Sequence, residues 1–253
     1  MHVDHKENII EVNDVSYSYG ATLVLEHITL PVHRGDYLGI IGPNGSGKTT
    51  LLKIMLGILP VQLGSIKLFG VPIGEFHDWW KIGYVPQKAI NFDDRFPATV
   101  HEVVAMGRTG RRGIGKRLNK ADYAKVASAL EQVNMLSYKN RLIGELSSGQ
   151  QQRIFIARAL ASEPEVLFLD EPTVGVDAAA QEEFYRLLKT LNETYSLTLV
   201  LVSHDIDVVA SQTTEIACIN GRLICHLPPK EFNASQYIKE LYGKDIKFIV
   251  HDH

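Results

Sequence analysis

The sequence predicts an α/β fold, in which a mixed or largely parallel sheet is joined by an N-terminal antiparallel β subdomain and an inserted α-helical subdomain. Residues 9–19 and 23–32 alternate apolar and polar side chains, as half-buried antiparallel strands do. The runs 166–169 and 198–202 are apolar throughout, which is typical of strands buried on both faces of a parallel sheet. Between residues 88 and 162 the apolar residues recur with a helical period and no convincing strand intervenes.

The composition of the 253 residues is ordinary for a globular protein, with 45% hydrophobic and 22% charged side chains. The formal net charge of -3 gives no overall attraction for nucleic acid. Cys218 and Cys225 are the only cysteines, and we expect both to be small buried thiols in a reducing compartment rather than a disulfide framework. No segment reaches the roughly 18 apolar residues that a membrane helix needs, and residues 1–8 lack the apolar core of a signal peptide. A cytoplasmic protein that meets a membrane only through a partner is predicted.

The strongest motif lies between a predicted strand, residues 37–41, and a predicted helix that starts near Thr50. It reads Gly42-Pro43-Asn44-Gly45-Ser46-Gly47-Lys48-Thr49. This phosphate loop, residues 42–49, fits the pattern G-x-x-x-x-G-K-[ST], whose glycines let backbone N–H groups face the phosphates of a nucleotide. Lys48 and Thr49 are expected to reach phosphate and Mg²⁺, and the positive end of the helix suits the same anion. The chain is therefore predicted to bind a nucleotide.

Two carboxylates follow the apolar strand at residues 166–169. Because parallel sheets hold ligands at the carboxyl ends of their strands, Asp170 and Glu171 are expected to emerge beside the phosphate loop. Asp170 can hold Mg²⁺, directly or through water, while Glu171 can orient the attacking water and accept its proton. With a phosphate loop upstream, the pair predicts nucleotide hydrolysis rather than a simple helix cap.

One local motif would change the nucleotide. Asn119-Lys120-Ala121-Asp122 fits the N-K-x-D pattern with which GTPases read guanine. The motif stands at a predicted helix start, where Asn119 as the N-cap and Asp122 in the first turn already explain it. We therefore reject a guanine site.

A basic segment precedes that helix. Residues 107–119 are rich in glycine and carry Arg108, Arg111, Arg112, Lys116 and Arg117. Runs of like charge are most often solvated, so we interpret the segment as a solvated loop between helices. A patch that faces a partner or lipid is the alternative.

A further motif identifies a family. Leu146, Ser147, Ser148, Gly149 and Gln150, followed by Gln151-Gln152-Arg153, resemble the signature sequence of ATP-binding cassette (ABC) ATPases. The motif falls between the phosphate loop and the acidic pair, as in that family, and the resemblance covers nearly the whole chain. It implies a P-loop NTPase fold of the RecA-like type. The implied organisation is a nucleotide-binding core at residues 7–87 and 163–227, a helical subdomain at 88–162 and a C-terminal tail at 228–253.

The same resemblance implies roles for single residues outside these motifs. Tyr19 is similar to the aromatic residue that stacks on adenine, and His204 is similar to the switch histidine. Gln87 resembles the glutamine that senses Mg²⁺ and the γ-phosphate, and Asp177 resembles an aspartate that contacts the partner in the dimer. The implied cofactor is Mg²⁺ bound with the substrate ATP, held by Thr49, Gln87 and Asp170.

In this family the signature cannot reach the phosphate loop of its own chain. The resemblance therefore implies a head-to-tail homodimer, in which each ATP lies between residues 42–49 of one copy and residues 146–150 of the other. Ser148 stands where the family commonly has glycine. Its β-carbon should be tolerated if its φ angle is negative.

The segment expected to meet membrane subunits points to a branch of the family. Residues 96–104, Phe-Pro-Ala-Thr-Val-His-Glu-Val-Val, and the following Gly107-Arg108 resemble zinc and manganese importers, as do residues 183–188. The implied function is that of the ATPase subunit of a metal importer, with zinc ahead of manganese. The implied partners are two integral membrane permease subunits and an extracytoplasmic metal-binding protein.

Two alternatives remain. An importer for iron complexes or cobalamin would differ only in its partners. An ABC ATPase without transport, acting on nucleic acid or ribosomes, usually carries two cassettes or long coiled-coil insertions, and this chain has neither, so no nucleic-acid partner is expected.

Both ends of the chain carry potential zinc ligands. His2, Asp4 and His5 stand at one end, and His251, Asp252 and His253 at the other. We interpret both sets as polar termini without a site. The alternative hypothesis is that the C-terminal set senses metal.

Overall fold

The structure, a computed structural model, describes residues 7–87, 97–113, 115–173 and 178–233, together with Tyr237 and Leu241. The strands are β1 (Asn8–Tyr19), β2 (Thr22–His33), β3 (Tyr37–Ile41), β4 (Leu63–Leu68), β5 (Val71–Pro72), β6 (Ile82–Val85), β7 (Val166–Asp170), β8 (Thr198–Ser203), β9 (Glu215–Asn220) and β10 (Arg222–Leu227). The helices are α1 (Lys48–Met55), α2 (Val100–Ala105), α3 (Thr109–Arg112), α4 (Lys120–Gln132), α5 (Ser148–Leu160), α6 (Ala178–Tyr195) and α7 (Ile206–Gln212). Among the helices of these residues, none is both long and apolar enough to span a bilayer.

The chain forms two compact units. The strand-rich unit contains residues 7–33, Tyr37–Glu75 and 202–233, and the helix-rich unit contains Arg34–Asp36 and Phe76–Leu201. The mixture of parallel and antiparallel pairing with helices confirms the predicted α/β class.

In the strand-rich unit, a four-stranded sheet has the order β2-β1-β4-β5. β1 pairs antiparallel with β2, with Val12 opposite Leu30, as the alternating pattern predicts. Ile10 and Val12 are buried, and so are the consecutive residues Val15, Ser16 and Tyr17, so β1 contributes to the core over much of its length. The same unit pairs β3 with β9 in parallel, and β9 with β10 as an antiparallel hairpin around Gly221.

In the helix-rich unit, β7 is flanked by β6 and β8. β6 and β7 run parallel, with Tyr84 opposite Phe168, and every residue of β7 is buried. The described part of the predicted insertion is mainly helical, with one isolated bridge between Thr99 and Leu142. The expected helical character of this part of the chain is thus confirmed.

The two cysteines differ from expectation. Cys218 and Cys225 are both buried, as predicted, but they form a disulfide, so the expectation of two thiols is wrong. The antiparallel hairpin sets the two residues opposite each other with their Cα atoms 4.9 Å apart, which is within bonding range. A spacing of seven residues carries no such information until the hairpin register is known.

The basic segment is also different from expectation. Arg108 is buried, and its guanidinium donates to Asp122 at 3.0 and 3.2 Å, to Glu163 at 3.0 Å and to the carbonyl of Ala161 at 2.8 Å. Arg111 lies 4.2 Å from the ring centroid of Trp80. The interpretation as a solvated loop is therefore wrong for Arg108, whose carboxylate partners lie far away in sequence. Thr109–Arg112 are exposed, as expected, but they form the short helix α3 rather than a loop.

The N-K-x-D motif forms a helix cap. The side chain of Asn119 accepts a hydrogen bond from the backbone N–H of Asp122 at 2.9 Å, and Asp122 accepts one from Asn119 at 2.9 Å. This reciprocal capping box starts α4, so the capping explanation is confirmed.

The Arg108 cluster predicts how stability depends on pH. The backbone N–H of Asn119 and the guanidinium of Arg108 hold the pKa of Asp122 below its ordinary value. Burial alone would raise the pKa of Glu163, but hydrogen bonds from Lys125 and Arg108 lower it. Because both folded pKa values are depressed, this stabilisation is complete above the unfolded values of about 4 and is lost as pH falls through the folded values.

We therefore expect the free energy of unfolding to fall below about pH 4, and to fall less steeply in Asp122→Asn. Urea denaturation between about pH 2 and 6 measures both curves. Glu182→Gln is the control, since Glu182 is exposed and its pair with Arg186 is a surface pair. Parallel curves for the wild type and Asp122→Asn would contradict the assignment.

Candidate active site

Three glycines of the phosphate loop have backbone conformations that favour glycine, and at two of them, Gly42 and Gly47, a β-carbon would also clash with a neighbour. Gly42, Gly45 and Gly47 have positive φ angles of 157°, 80° and 98°. A β-carbon on Gly42 would lie 2.0 Å from the carbonyl oxygen of Ile219, and one on Gly47 would lie 2.5 Å from a methyl group of Leu25. β9 therefore packs directly against the start of the loop, and β2 packs against its end.

Hydrogen bonds fix the loop to α1 and to the hairpin turn. The backbone N–H of Ser46 donates to Pro43 at 3.2 Å, and the N–H of Gly221 donates to the carbonyl of Ser46 at 2.9 Å. Lys48 begins α1, is buried, and its Nζ donates to the carbonyls of Gly42 and Pro43 at 2.9 Å each. Its amine is thus held over the loop by two neutral acceptors.

The start of α1 is suited to an anion. Its N-cap, Gly47, offers no side-chain acceptor, and the first α-helical hydrogen bond runs from Leu51 to Gly47. The N–H groups of the first turn of a helix point out of its N-terminal end, where the helix dipole also favours negative charge. The hydroxyl oxygen of Ser46 is buried and makes no hydrogen bond within the described residues. These polar groups fit the phosphates that the motif predicts.

Other predicted residues of the strand-rich unit remain accessible. Tyr19 ends β1, is 50% exposed and packs edge-to-face on Tyr17 at 5.1 Å, so its ring has a free surface for stacking. Asn44 is exposed within the loop, and His204 is exposed directly after β8. All three side chains are thus at least partly exposed to solvent.

In the helix-rich unit, the structure brings Gln87 to Glu171. Gln87 follows β6 and Glu171 follows β7, and the carboxyl ends of neighbouring parallel strands lie at the same edge of a sheet. The amide of Gln87 donates to the carboxylate of Glu171 at 3.2 Å. Asp170, the last residue of β7, is buried. Burial of the Tyr84 hydroxyl, together with the nearby charge of Asp170, raises the pKa of Tyr84 to about 12.

Glu171 is held in an unusual backbone conformation. Its φ angle is 43°, in the left-handed region, which costs a residue other than glycine about 1–3 kcal/mol. Strain of this kind persists only where the surroundings fix it. The next two carbonyls are indeed held, because Pro172 accepts a hydrogen bond from the amide of Gln152 and Thr173 accepts one from Gln181 at 3.2 Å.

The signature residues form the start of α5. The hydroxyl of Ser147 accepts from the backbone N–H of Gln150 at 3.4 Å, and the side chain of Gln150 accepts from Ser147 at 3.1 Å. Leu146 is buried, and its carbonyl accepts from Gln151 at 3.2 Å. Ser148 lies in the helix with a negative φ, so its β-carbon is tolerated, as expected.

A cavity of about 300 Å³ opens beside this helix start. Its lining includes Ser147, Gly149 and Gln150, together with Arg153 and Glu183. A β-carbon on Gly149 would meet the β-carbon of Ala180 at 3.3 Å, so the glycine also permits close packing against α6. The signature is therefore accessible on one side and closely packed on the other.

Some predicted residues belong to parts of the chain that the structure does not describe. Asp177 and residues 88–96 lie outside the described residues, and so do both histidine-containing termini. Within the described residues, no group of three His, Cys, Asp or Glu side chains could hold a metal ion. The hydroxyl of Thr49, the amide oxygen of Gln87 and the carboxylate of Asp170 are oxygen donors of the kind that Mg²⁺ prefers.

Two residues of this region escaped sequence reasoning. Gln152 and Gln181 hold the peptide carbonyls that follow Glu171. The available signal was a polar residue at position 152 beside the apolar residues Ile154, Phe155 and Ile156, which indicates a buried amide with a specific partner.

The ABC transporter family profile covers residues 25–174, more than half of the chain. The chain belongs to the ABC transporter family. The P-loop NTPase fold and the family resemblance predicted from the signature are thereby confirmed.

Relatives of this ABC protein include two metal-transport subunits. It is 53% identical over 216 residues to the zinc uptake system ATP-binding protein ZurA of Listeria innocua, covering 85% of this chain and 84% of the relative. It is 39% identical over 236 residues to the manganese transport system ATP-binding protein MntB of Listeria monocytogenes, covering 92% and 96%.

A solved cassette shares the fold. The ATP-binding cassette MJ0796, in a dimeric post-hydrolysis state bound to ADP and Pi, is 27% identical with a TM-score of 0.72. The match covers 88% of this ABC protein and 100% of that cassette.

Proposed function

We propose that the chain is the ATP-hydrolysing subunit of an importer for divalent metal ions, with zinc as the first candidate cargo and manganese as the second. The observation that carries this proposal is the 53% identity with a zinc uptake ATP-binding protein over 85% of the chain, against 39% for a manganese relative. The importers for iron complexes or cobalamin, and the ABC ATPases without transport, lack comparable support.

In the proposed mechanism the phosphate loop binds ATP. The N–H groups at the start of α1 and the amine of Lys48 bind phosphate oxygens, and Lys48 exchanges its two carbonyl acceptors for charged ones. Tyr19 stacks on the adenine. Mg²⁺, when bound with ATP, supplies charge neutralisation, and Thr49, Gln87 and Asp170 would hold it.

Glu171 is the proposed general base. Its carboxylate orients a water molecule toward the γ-phosphate and accepts the proton as the water attacks. The hydrogen bond from Gln87 holds one carboxylate oxygen, and the strained backbone fixes where the side chain begins. His204, exposed after β8, is proposed to contact the γ-phosphate.

The site is proposed to be completed by a second copy of the chain. The hydroxyl of Ser147 accepts a hydrogen bond within the capping box, so its own proton can be donated to a phosphate oxygen. Together with the start of α5, it would close on ATP bound to the partner. The dimeric state of the related cassette MJ0796 supports this arrangement, and Asp177 is proposed to contact the partner.

The proposed assembly places the homodimer on the cytoplasmic face of the membrane beneath two permease subunits, with a metal-binding protein outside. Residues 97–108, which include α2, are the proposed permease-facing segment. Closure of the dimer on ATP would switch the access of the permease, and hydrolysis would reset it.

Uptake of radioactive zinc and manganese tests the cargo. We expect deletion of the gene in its host to abolish high-affinity zinc uptake and spare manganese uptake, and the wild-type gene, but not one encoding Glu171→Gln, to restore it. Loss of manganese uptake alone would favour the second candidate. Unchanged uptake of both metals, or salt-sensitive co-purification with RNA, would overturn the proposal.

A further inference from the structure

The buried side chain of Gln152 contacts the peptide segment that follows Glu171. It lies on α5, is 1% exposed, and its Nε2 donates to the carbonyl of Pro172. Its Oε1 is buried and accepts no hydrogen bond within the described residues. An unsatisfied buried acceptor is unfavourable, and an apolar side chain of the same size would avoid it. The contact with Pro172 is therefore what a glutamine provides here.

This contact joins two functional elements. One is α5, whose N-cap is the signature serine, Ser147, five residues before Gln152. The other is the peptide that follows Glu171, whose left-handed backbone needs support from its surroundings. Since a helix moves nearly as a rigid body over this distance, displacement of its start is transmitted to the amide of Gln152.

We propose that Gln152 is a positioning residue that couples the two ATP sites of the dimer. The inference rests on the proposed function, in which Ser147 closes on the ATP of the partner while Glu171 acts on the ATP of its own chain. Engagement of Ser147 with one ATP shifts α5, and the hydrogen bond from Gln152 to Pro172 changes how Glu171 is held at the other ATP. The hydrogen bond between Gln152 and Pro172 is proposed to have one geometry when Ser147 contacts ATP and another when it does not. The difference in free energy between these two states is the coupling energy between the two ATP sites.

The structure provides a matched control for this link. Gln181, on α6, donates its amide to the carbonyl of Thr173 at 3.2 Å. Gln152 and Gln181 thus hold neighbouring carbonyls of the same segment with the same chemical group, but only Gln152 belongs to the helix that carries the signature. A general role in supporting the segment would affect both residues, whereas coupling requires Gln152.

The test compares Gln152→Met and Gln181→Met in the full-length protein. ATP hydrolysis is measured against ATP concentration, and thermal unfolding is measured in parallel. We expect Gln152→Met to reduce the Hill coefficient from a value approaching about 2 to about 1 and to lower kcat about tenfold, with the half-saturating ATP concentration changed less than about twofold. Gln181→Met should keep the Hill coefficient of the wild type, even if its melting temperature falls as far as that of Gln152→Met.

Several outcomes would overturn the inference. An unchanged Hill coefficient in Gln152→Met, or an equal loss in Gln181→Met, would assign the contact a structural role only. Wild-type hydrolysis without cooperativity would reject the coupling while leaving the proposed ATPase function intact, whereas wild-type protein without hydrolysis would reject the proposed function itself. Gln152→Leu serves as a second variant if the methionine variant does not fold.

Hydrogen exchange in the wild type needs no variant. Exchange of the peptide containing residues 171–173 should change when a non-hydrolysable ATP analogue closes the dimer. Unchanged exchange in this peptide, with protection elsewhere at the dimer contact, would also contradict the coupling.

Discussion

Glu171→Gln is expected to lower the rate of ATP hydrolysis by about 10²- to 10⁴-fold while leaving ATP binding intact. The amide keeps the size and one hydrogen-bond acceptor of the carboxylate, and can still meet the amide of Gln87, but it cannot accept a proton from water. ATP should therefore persist and the closed dimer should accumulate. Phosphate release measures turnover, binding of a fluorescent ATP analogue measures affinity, and size-exclusion chromatography measures the dimer.

Glu182→Gln is the matched control for this prediction. Glu182 is an exposed glutamate on α6 whose pair with Arg186 is a surface pair, so the same chemical change should leave turnover unaltered. Turnover of Glu171→Gln within about twofold of the wild type would refute the assignment of the base. Loss of ATP binding in that variant would instead assign Glu171 to nucleotide binding.

The parts of the site that sequence could predict are contiguous in the chain. The phosphate loop carries its turn glycines, its lysine and the following helix in a single run, so its position and chemistry were predictable. Its close contacts with Ile219 and Leu25 were not, because these residues lie elsewhere in the chain. Asp170 and Glu171 were predictable because an apolar run marks a buried strand and its end marks a ligand edge. The contact between Gln87 and Glu171 depends on β6 and β7 being neighbours in the sheet, and the order of the strands in a sheet cannot be seen from the chain alone.

The features that sequence could not predict depend on partners far away in the chain. Arg108 can be buried because two carboxylates neutralise its charge. One belongs to Glu163, which follows α5 in the chain, and the other to Asp122 in the capping box of α4. Cys218 forms a disulfide with Cys225 because the register of the β9–β10 hairpin places the two residues opposite each other. Their spacing in the sequence alone does not reveal this register. A buried arginine paired with carboxylates and a disulfide between facing cysteines both follow general rules. Which residues obey these rules depends on tertiary contacts that the sequence does not show.

Gly42→Ala is expected to abolish ATP binding, lowering affinity by more than about 10²-fold, which corresponds to about 2.7 kcal/mol. The new β-carbon would lie 2.0 Å from the carbonyl oxygen of Ile219, which is backbone and cannot turn aside. Ile219 is held in β9 by its pairing with Leu223 of β10, so the phosphate loop must move instead. Displacing Gly42 also moves one of the two carbonyls that hold Lys48. Titration with a fluorescent ATP analogue measures the loss.

Substitutions at two other glycines distinguish the effect of this clash from the energetic cost of a positive φ angle. A β-carbon on Gly45 meets nothing within 4 Å, so Gly45→Ala carries only the left-handed backbone cost of about 1–2 kcal/mol and should weaken binding by roughly 5- to 30-fold. Gly70, in the turn between β4 and β5, also has a positive φ and open space, and Gly70→Ala should lower stability without changing ATP affinity. An affinity of Gly42→Ala equal to that of Gly45→Ala would show that the loop relaxes around the clash, and that the approach of Ile219 does not fix its conformation.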